Sequence, residues 1–240
     1  MAIKITITFL IFILTRVPIH TQTIYSSNLK TDGILLSSGF FTFVASSIID
    51  KSSLPSNIDE IELLSPLSIN RFDRSAVNKY SKSLALWSDA LVGISGASPL
   101  LLLSQKNIRN SAGTFSLMYI ETILLSVLVP NFFKSCFERY RPLAYNNEVP
   151  IGERISVSAR HSFFSGHATS AFASAIFLST VYSNTNESSN KKIFVWTGSL
   201  LLSSVICYLR YESGSHFPTD IIAGIISGTA IGFLVPALHR

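Results

Sequence analysis

Residues 193–238 read IFVWTGSLLLSSVICYL, then RYESGSHFPTD, then IIAGIISGTAIGFLVPAL. Two uncharged apolar runs, Ile193–Leu209 and Ile221–Leu238, flank eleven residues that hold every charge in the stretch. A helix needs roughly 17–25 mostly apolar residues to cross the hydrocarbon core of a bilayer. Each run meets that length, so the stretch reads as two membrane helices joined by a polar turn at one surface.

Working outward, four more runs have the same character. Gly33–Ile49 and Ala168–Asn184 carry no charge, Leu84–Ser104 carries only Asp89, and Ser111–Phe133 carries only Glu121. Charged residues make up 14% of the 240, against about 25% in soluble domains, and mean hydropathy is +0.40. The expected fold class is all-α: a membrane-embedded helical bundle of about six spans. A carboxylate inside a span is costly and therefore suspect as functional. Asp89 and Glu121 are nevertheless read here as structural, bonding across helices.

The N-terminus has a different grammar. Lys4, the apolar run Ile5–Leu14, then Arg16, Pro18 and small polar residues resemble a secretory signal peptide with processing near Thr21. Residues 1–21 are thus expected to be a signal peptide or an N-terminal anchor, and residues 22–240 one membrane domain with a core at about 111–240. Within the polar stretch Asp50–Ser83, Ile69–Tyr80 is expected to form a short surface helix. Cys136 and Cys207 are too few for a disulfide framework and are expected to be free and buried. The net charge of +5 fits loops beside anionic headgroups. Nothing points to nucleic acid, and no protein partner can be inferred.

Three polar clusters sit at the ends of the spans. Lys134 is followed after six residues by Arg141-Pro142, Ser165-Gly166-His167 opens the fourth span, and Arg210, His216 and Asp220 bridge the fifth and sixth. Counting crossings places all three on one membrane face: the third helix ends there, the fourth leaves from it, the fifth returns and the sixth departs. A lone lysine or arginine beside a membrane helix is usually an interfacial anchor. Together, on one face, these residues make a phosphate site. Lys134, Arg141 and Arg210 supply charge and bidentate donors. Ser165 and Gly166 place free N–H groups of a helix start against an anion. Asp220, four residues after His216, is expected to hold one ring nitrogen and leave the other to attack phosphorus. His167, from another helix, is placed to protonate the leaving oxygen.

At these residues the chain resembles the type 2 phosphatidic acid phosphatase superfamily, which includes bacterial class A acid phosphatases and vanadium haloperoxidases. The family pattern K-x6-R-P, P-S-G-H and S-R-x5-H-x3-D reads here KSCFERYRP, FSGH and LRYESGSHFPTD. The resemblance implies a phosphohistidine formed on His216 and oriented by Asp220, with His167 as general acid. It also implies phosphate held by Lys134, Arg141, Ser165, Gly166 and Arg210, with no metal and no other cofactor. Phe164 stands where the family has proline and Leu209 where it has serine, so one hydroxyl contact to phosphate is missing. The implied substrate is a lipid phosphate monoester or pyrophosphate.

Lys106, Arg109, Lys191, Lys192 and the terminal His239-Arg240 fall on the face opposite the motifs. The positive-inside rule makes that face cytoplasmic, so in a bacterial inner membrane the active face is expected to meet the periplasm. A cleaved signal peptide followed by six full spans would reverse this. Consistency requires either an uncleaved N-terminal run or an incomplete crossing by Gly33–Ile49. Two other readings compete: a vanadium-dependent haloperoxidase, against which the spans argue, and a non-catalytic lipid-binding or transport protein, against which the retained His167, His216 and Asp220 argue.

Overall fold

A computed structural model describes residues 24–50 and 55–240. The expected signal peptide or anchor at residues 1–21 lies outside the described residues. Among the described residues six long helices make up the bundle: α1 Leu29–Asp50, α2 Lys82–Ala97, α3 Ala112–Phe137, α4 Gly166–Thr185, α5 Ser189–Glu212 and α6 Pro218–Leu238. No strand occurs among the described residues. α2 continues as a 3₁₀ segment through Ser104, where Pro99 fits the start of a new turn. Ile69–Tyr80 differs from expectation. Its regular part is only the 3₁₀ turn Asp73–Ala76, because Asn70, Asp73 and Arg74 spend their polar groups on neighbouring backbone and side chains.

Among the described residues five segments are long and apolar enough to cross a membrane: those beginning at Leu29, Lys82, Ala112, Ser189 and Pro218. Phe40, Phe41, Trp87, Phe194 and Phe233 stand exposed along them, as lipid-facing side chains do. The remaining long helix, α4, is rich in serine and alanine and is the central one, packed against α2, α3, α5 and α6. A helix surrounded by protein needs no apolar lipid face. It needs small residues for close approach and hydroxyls that find partners. Ser126 of α3 pairs with Ser170 at 3.2 Å, Ser179 with Ser199 of α5 at 2.9 Å, and Ser203 donates to the Ala171 carbonyl at 3.0 Å. Cys207 is buried and free as expected, whereas Cys136 is exposed, since it lies past the packed part of α3.

Gly224, Gly228 and Gly232 form a stripe along α6 that lies directly on the α4 backbone. A Cβ on Gly228 would sit 3.0 Å from the Ala173 nitrogen and closer still to the Thr169 carbonyl oxygen. This contact carries the tightest joint of the bundle, and it fixes the first turn of α6 beside that of α4. Overpacking of this kind costs about 1–3 kcal/mol. Gly228→Ala is therefore expected to lower the melting temperature in detergent by roughly 3–10 °C. Gly198→Ala on α5, with nothing within 4 Å, is expected to stay within about 2 °C. Equal melting temperatures for the two variants would contradict the stripe's role.

Candidate active site

The three polar clusters meet at one end of the bundle. Ser165 caps α4, its hydroxyl accepting from the Ala168 N–H at 3.3 Å, and its own N–H donates to the Asp220 carbonyl at 3.1 Å. The starts of α4 and α6 are thereby tied together. Gly166 brings its Cα side to Lys134: a Cβ there would lie 3.4 Å from Nζ. Arg210 reaches from α5 to α2, donating to the Ser88 hydroxyl at 3.1 Å and to Asp89 at 3.3 Å. Arg141 follows α3 in the loop where its N–H donates to the Ala159 carbonyl at 2.7 Å.

His216 lies between α5 and α6, 1% exposed. Its Nδ1 is 2.9 Å from the Ser162 carbonyl oxygen. A carbonyl only accepts, so Nδ1 carries the hydrogen and Nε2 keeps the lone pair. Burial pushes this imidazole well below its ordinary value of 6.5, and the charges of Arg141, Arg210, Lys134 and His167 push the same way. It is therefore neutral at neutral pH, with the Nε2 lone pair free. The acid limb of kcat/KM, corrected for the substrate's own second ionisation, should accordingly fall well below pH 6.5. A limb at or above 6.5 that survives His167→Ala would contradict this.

Asp220 is placed differently from expectation. Its Oδ2 is 3.8 Å from His216 Nδ1, too far for a hydrogen bond. The carboxylate instead accepts from the Ser162 hydroxyl at 2.5 Å, from the Phe217 N–H at 2.9 Å and from Arg139. It thus holds the Ser162 segment whose carbonyl orients the ring, and the orienting action passes through the backbone. A fixed i, i+4 spacing brings carboxylate and imidazole near each other, but the N–H of Phe217, just before α6, the Ser162 hydroxyl and Arg139 take the carboxylate oxygens instead.

Asp89, read from sequence as structural, belongs to the site. His167 Nε2 lies 2.7 Å from Asp89 Oδ1. The carboxylate accepts, so Nε2 carries a hydrogen and Nδ1 is the ring nitrogen that Asp89 leaves free. The signal was present in the sequence as a lone carboxylate within an apolar run. Arg139 and Asp73 were missed as well. Arg139 donates to Thr219 at 2.9 Å, bridges Asp220 and Asp73, and lies 4.3 Å from the Phe217 ring centroid. Asp73, fully buried, accepts from the Thr219 N–H at 2.9 Å and its hydroxyl at 2.6 Å. Those bonds outweigh the upward push of burial and leave its carboxyl below the usual carboxylate value. Arg139 sits between Lys134 and Arg141 in sequence and was visible there; Asp73 comes from a polar loop that carried no signal.

A cavity of about 440 Å³ opens at this end, lined by Asp89, Arg141 and Arg210 together with Tyr80, Lys82 and Glu153. The Nε atoms of Arg141 and of Arg210 are buried and lack a hydrogen-bond partner. Buried donors without partners are rare, and two guanidinium groups sharing that condition beside one cavity are arranged for an anion. The site's carboxylates do not compete for it, because Asp89 is taken by His167 and Arg210, and Asp220 by Arg139 and Ser162.

Comparison with known proteins places this arrangement in context. A family model described as the PAP2 superfamily matches residues 115–240. A curated relative, the Lipid A 4'-phosphatase of Porphyromonas gingivalis, is 32% identical over 127 residues, covering 50% of this chain and 50% of the relative. The chain thus matches about half the length of that relative. No solved structure matches.

Proposed function

The chain belongs to the PAP2 superfamily, and from that premise we propose that it is a membrane phosphatase acting on a lipid phosphate. The observation that carries this is the pair of partnerless, buried guanidinium Nε atoms beside a cavity at the end of a membrane bundle. A phosphate monoester offers several acceptor oxygens at once, with nearly two negative charges, and arginine meets it with planar paired donors.

In the proposed mechanism Arg141, Arg210 and Lys134 hold the non-bridging oxygens, and the N-terminus of α4 at Ser165-Gly166 adds backbone donors. His216 Nε2 attacks phosphorus, forming an N–P bond as the bond to the lipid oxygen breaks. The leaving oxygen takes a proton from His167 Nδ1, while Asp89 steadies the ring through Nε2. Water then attacks the phosphohistidine, with His167 taking back a proton, and inorganic phosphate leaves. The cationic side chains fill the role a metal would have, so transfer is proposed to be metal-independent. The site end is proposed to face the periplasm of a bacterial inner membrane, because Lys106, Arg109, Lys191 and Lys192 crowd the other end.

The relative is called a Lipid A 4'-phosphatase, which makes a phosphorylated glycolipid one substrate class to test among phosphatidic acid, phosphatidylglycerol phosphate and polyprenyl pyrophosphate. The haloperoxidase and non-catalytic readings gain no support from these comparisons. Purified protein in detergent should release phosphate from at least one of these lipids and be inhibited by orthovanadate, which mimics the five-coordinate phosphorus. Its initial rate should survive chelator. No release from any of them, or insensitivity to vanadate, would count against the histidine mechanism.

A further inference from the structure

A second cluster of titratable groups lies at the opposite end of the bundle. Glu121 is thirteen residues before Lys134 on α3, so about 20 Å separates the two along the helix axis. Around Glu121 stand Asp32, in the first turn of α1, and His239, just past α6, with all three ligand atoms within 4.8 Å of one another. His239 Nε2 is 2.9 Å from Asp32 Oδ1 and 3.3 Å from Glu121 Oε2. The Glu121 side chain is fully buried, and neither carboxylate oxygen has a hydrogen-bond partner.

His239 Nδ1 is 2.8 Å from the Val235 carbonyl oxygen. The carbonyl accepts, so Nδ1 carries the hydrogen and Nε2 faces two carboxylates. Two carboxylates and a ring nitrogen that meet in a buried place need a cation among them, either a proton on Nε2 or a metal ion. Donation of the second ring nitrogen to a backbone carbonyl is the usual support of a metal-ligating histidine. Tetrahedral ligands about 2.0–2.2 Å from one ion stand roughly 3.3–3.6 Å apart; His239 Nε2 lies 2.9 and 3.3 Å from the two carboxylates, and all three ligand atoms lie within 4.8 Å, close enough to share one ion after a small adjustment.

We propose that Asp32, Glu121 and His239 bind a divalent transition-metal ion of the zinc class, as one imidazole and two carboxylates favour. The ion sits away from the phosphate site and clamps α1 to α3 and α6. α1 stands to gain from a clamp, since it packs chiefly against α3 and is otherwise exposed along most of its length.

The test is a Zn²⁺ and Co²⁺ titration of the full chain in detergent, read by metal analysis, melting temperature and the visible absorption of Co²⁺. Wild type is expected to hold about one Zn²⁺ per chain, and chelator should lower its melting temperature while its initial phosphatase rate at 25 °C stays within twofold. Asp32→Asn, Glu121→Gln and His239→Gln should each weaken Zn²⁺ binding at least tenfold and keep that rate. Asp32→Asn changes a partly exposed side chain at a helix start and supplies a folded comparison if the buried variants fail. Wild type without tight Zn²⁺, or variants that bind it as wild type does, would overturn the proposal and leave His239 as an imidazolium between two carboxylates.

Discussion

Replacing His216 by alanine is expected to lower turnover of a lipid phosphomonoester by at least about a thousandfold. In the proposed mechanism His216 forms the first covalent bond, and its neighbours have other tasks: Asp220 is bound by Arg139, Ser162 and the Phe217 N–H, and His167, held through Nε2 by Asp89, serves the leaving oxygen. Losses on removing a nucleophile reach about 10⁶ where the rest of a site acts as a unit with it. The substitution also strips the Ser162 carbonyl of its donor, at about 1–3 kcal/mol for the unsatisfied group. His216→Asn retains an N–H near the same position and is the better-folded control; it should be as inactive as the alanine variant. The second readout is the intermediate itself. Wild type quenched in alkali during turnover of labelled substrate should carry a base-stable, acid-labile phosphoryl group, and both variants should lack it. Substantial turnover by folded His216→Asn would end the assignment.

Replacing His167 by alanine is expected to act on the leaving group. A general acid contributes about 10²–10⁴, but only where the departing oxygen needs its proton. A lipid alkoxide needs it; p-nitrophenolate does not. His167→Ala should therefore lose a hundredfold or more on a lipid phosphate and far less on p-nitrophenyl phosphate, with KM changed little for either. An equal loss on both substrates would show that the ring only supports the pocket. Asp89→Asn should shift the same ratio in the same direction, more weakly, because Asn can still accept from Nε2 but brings no charge. These two comparisons separate proton transfer from phosphate binding, the task proposed for Arg141 and Arg210.

The bundle was legible because its signals are local. A helix that crosses lipid must be apolar over its whole length, and α5 and α6 satisfy that within their own residues. α4 shows the limit of the rule. Its serines and threonines keep it from being apolar enough to cross a membrane by composition, yet it is the centre of the bundle, where Ser170 and Ser179 bond neighbouring helices and Ala171 accepts from Ser203. Ile69–Tyr80 shows another limit. Its side chains serve partners far away in sequence, as Asp73 serves Thr219 and Arg139, and local helix formation yields to them.

The order of residues alone determined that Lys134, Arg141, Ser165, Gly166, His167, Arg210, His216 and Asp220 share one membrane face, since that follows from the parity of the crossings. Tertiary structure alone decided which atoms meet. It placed Asp89 on His167, turned Asp220 from the imidazole to the Ser162 segment, and brought Asp32, Glu121 and His239 together across 207 positions of sequence. The reason is physical. Crossing a bilayer constrains every residue of a segment alike and so leaves a pattern in the chain, whereas a hydrogen bond depends on the rotation and offset of two helices, which the packing of Gly224, Gly228 and Gly232 against α4 sets only once the bundle has formed.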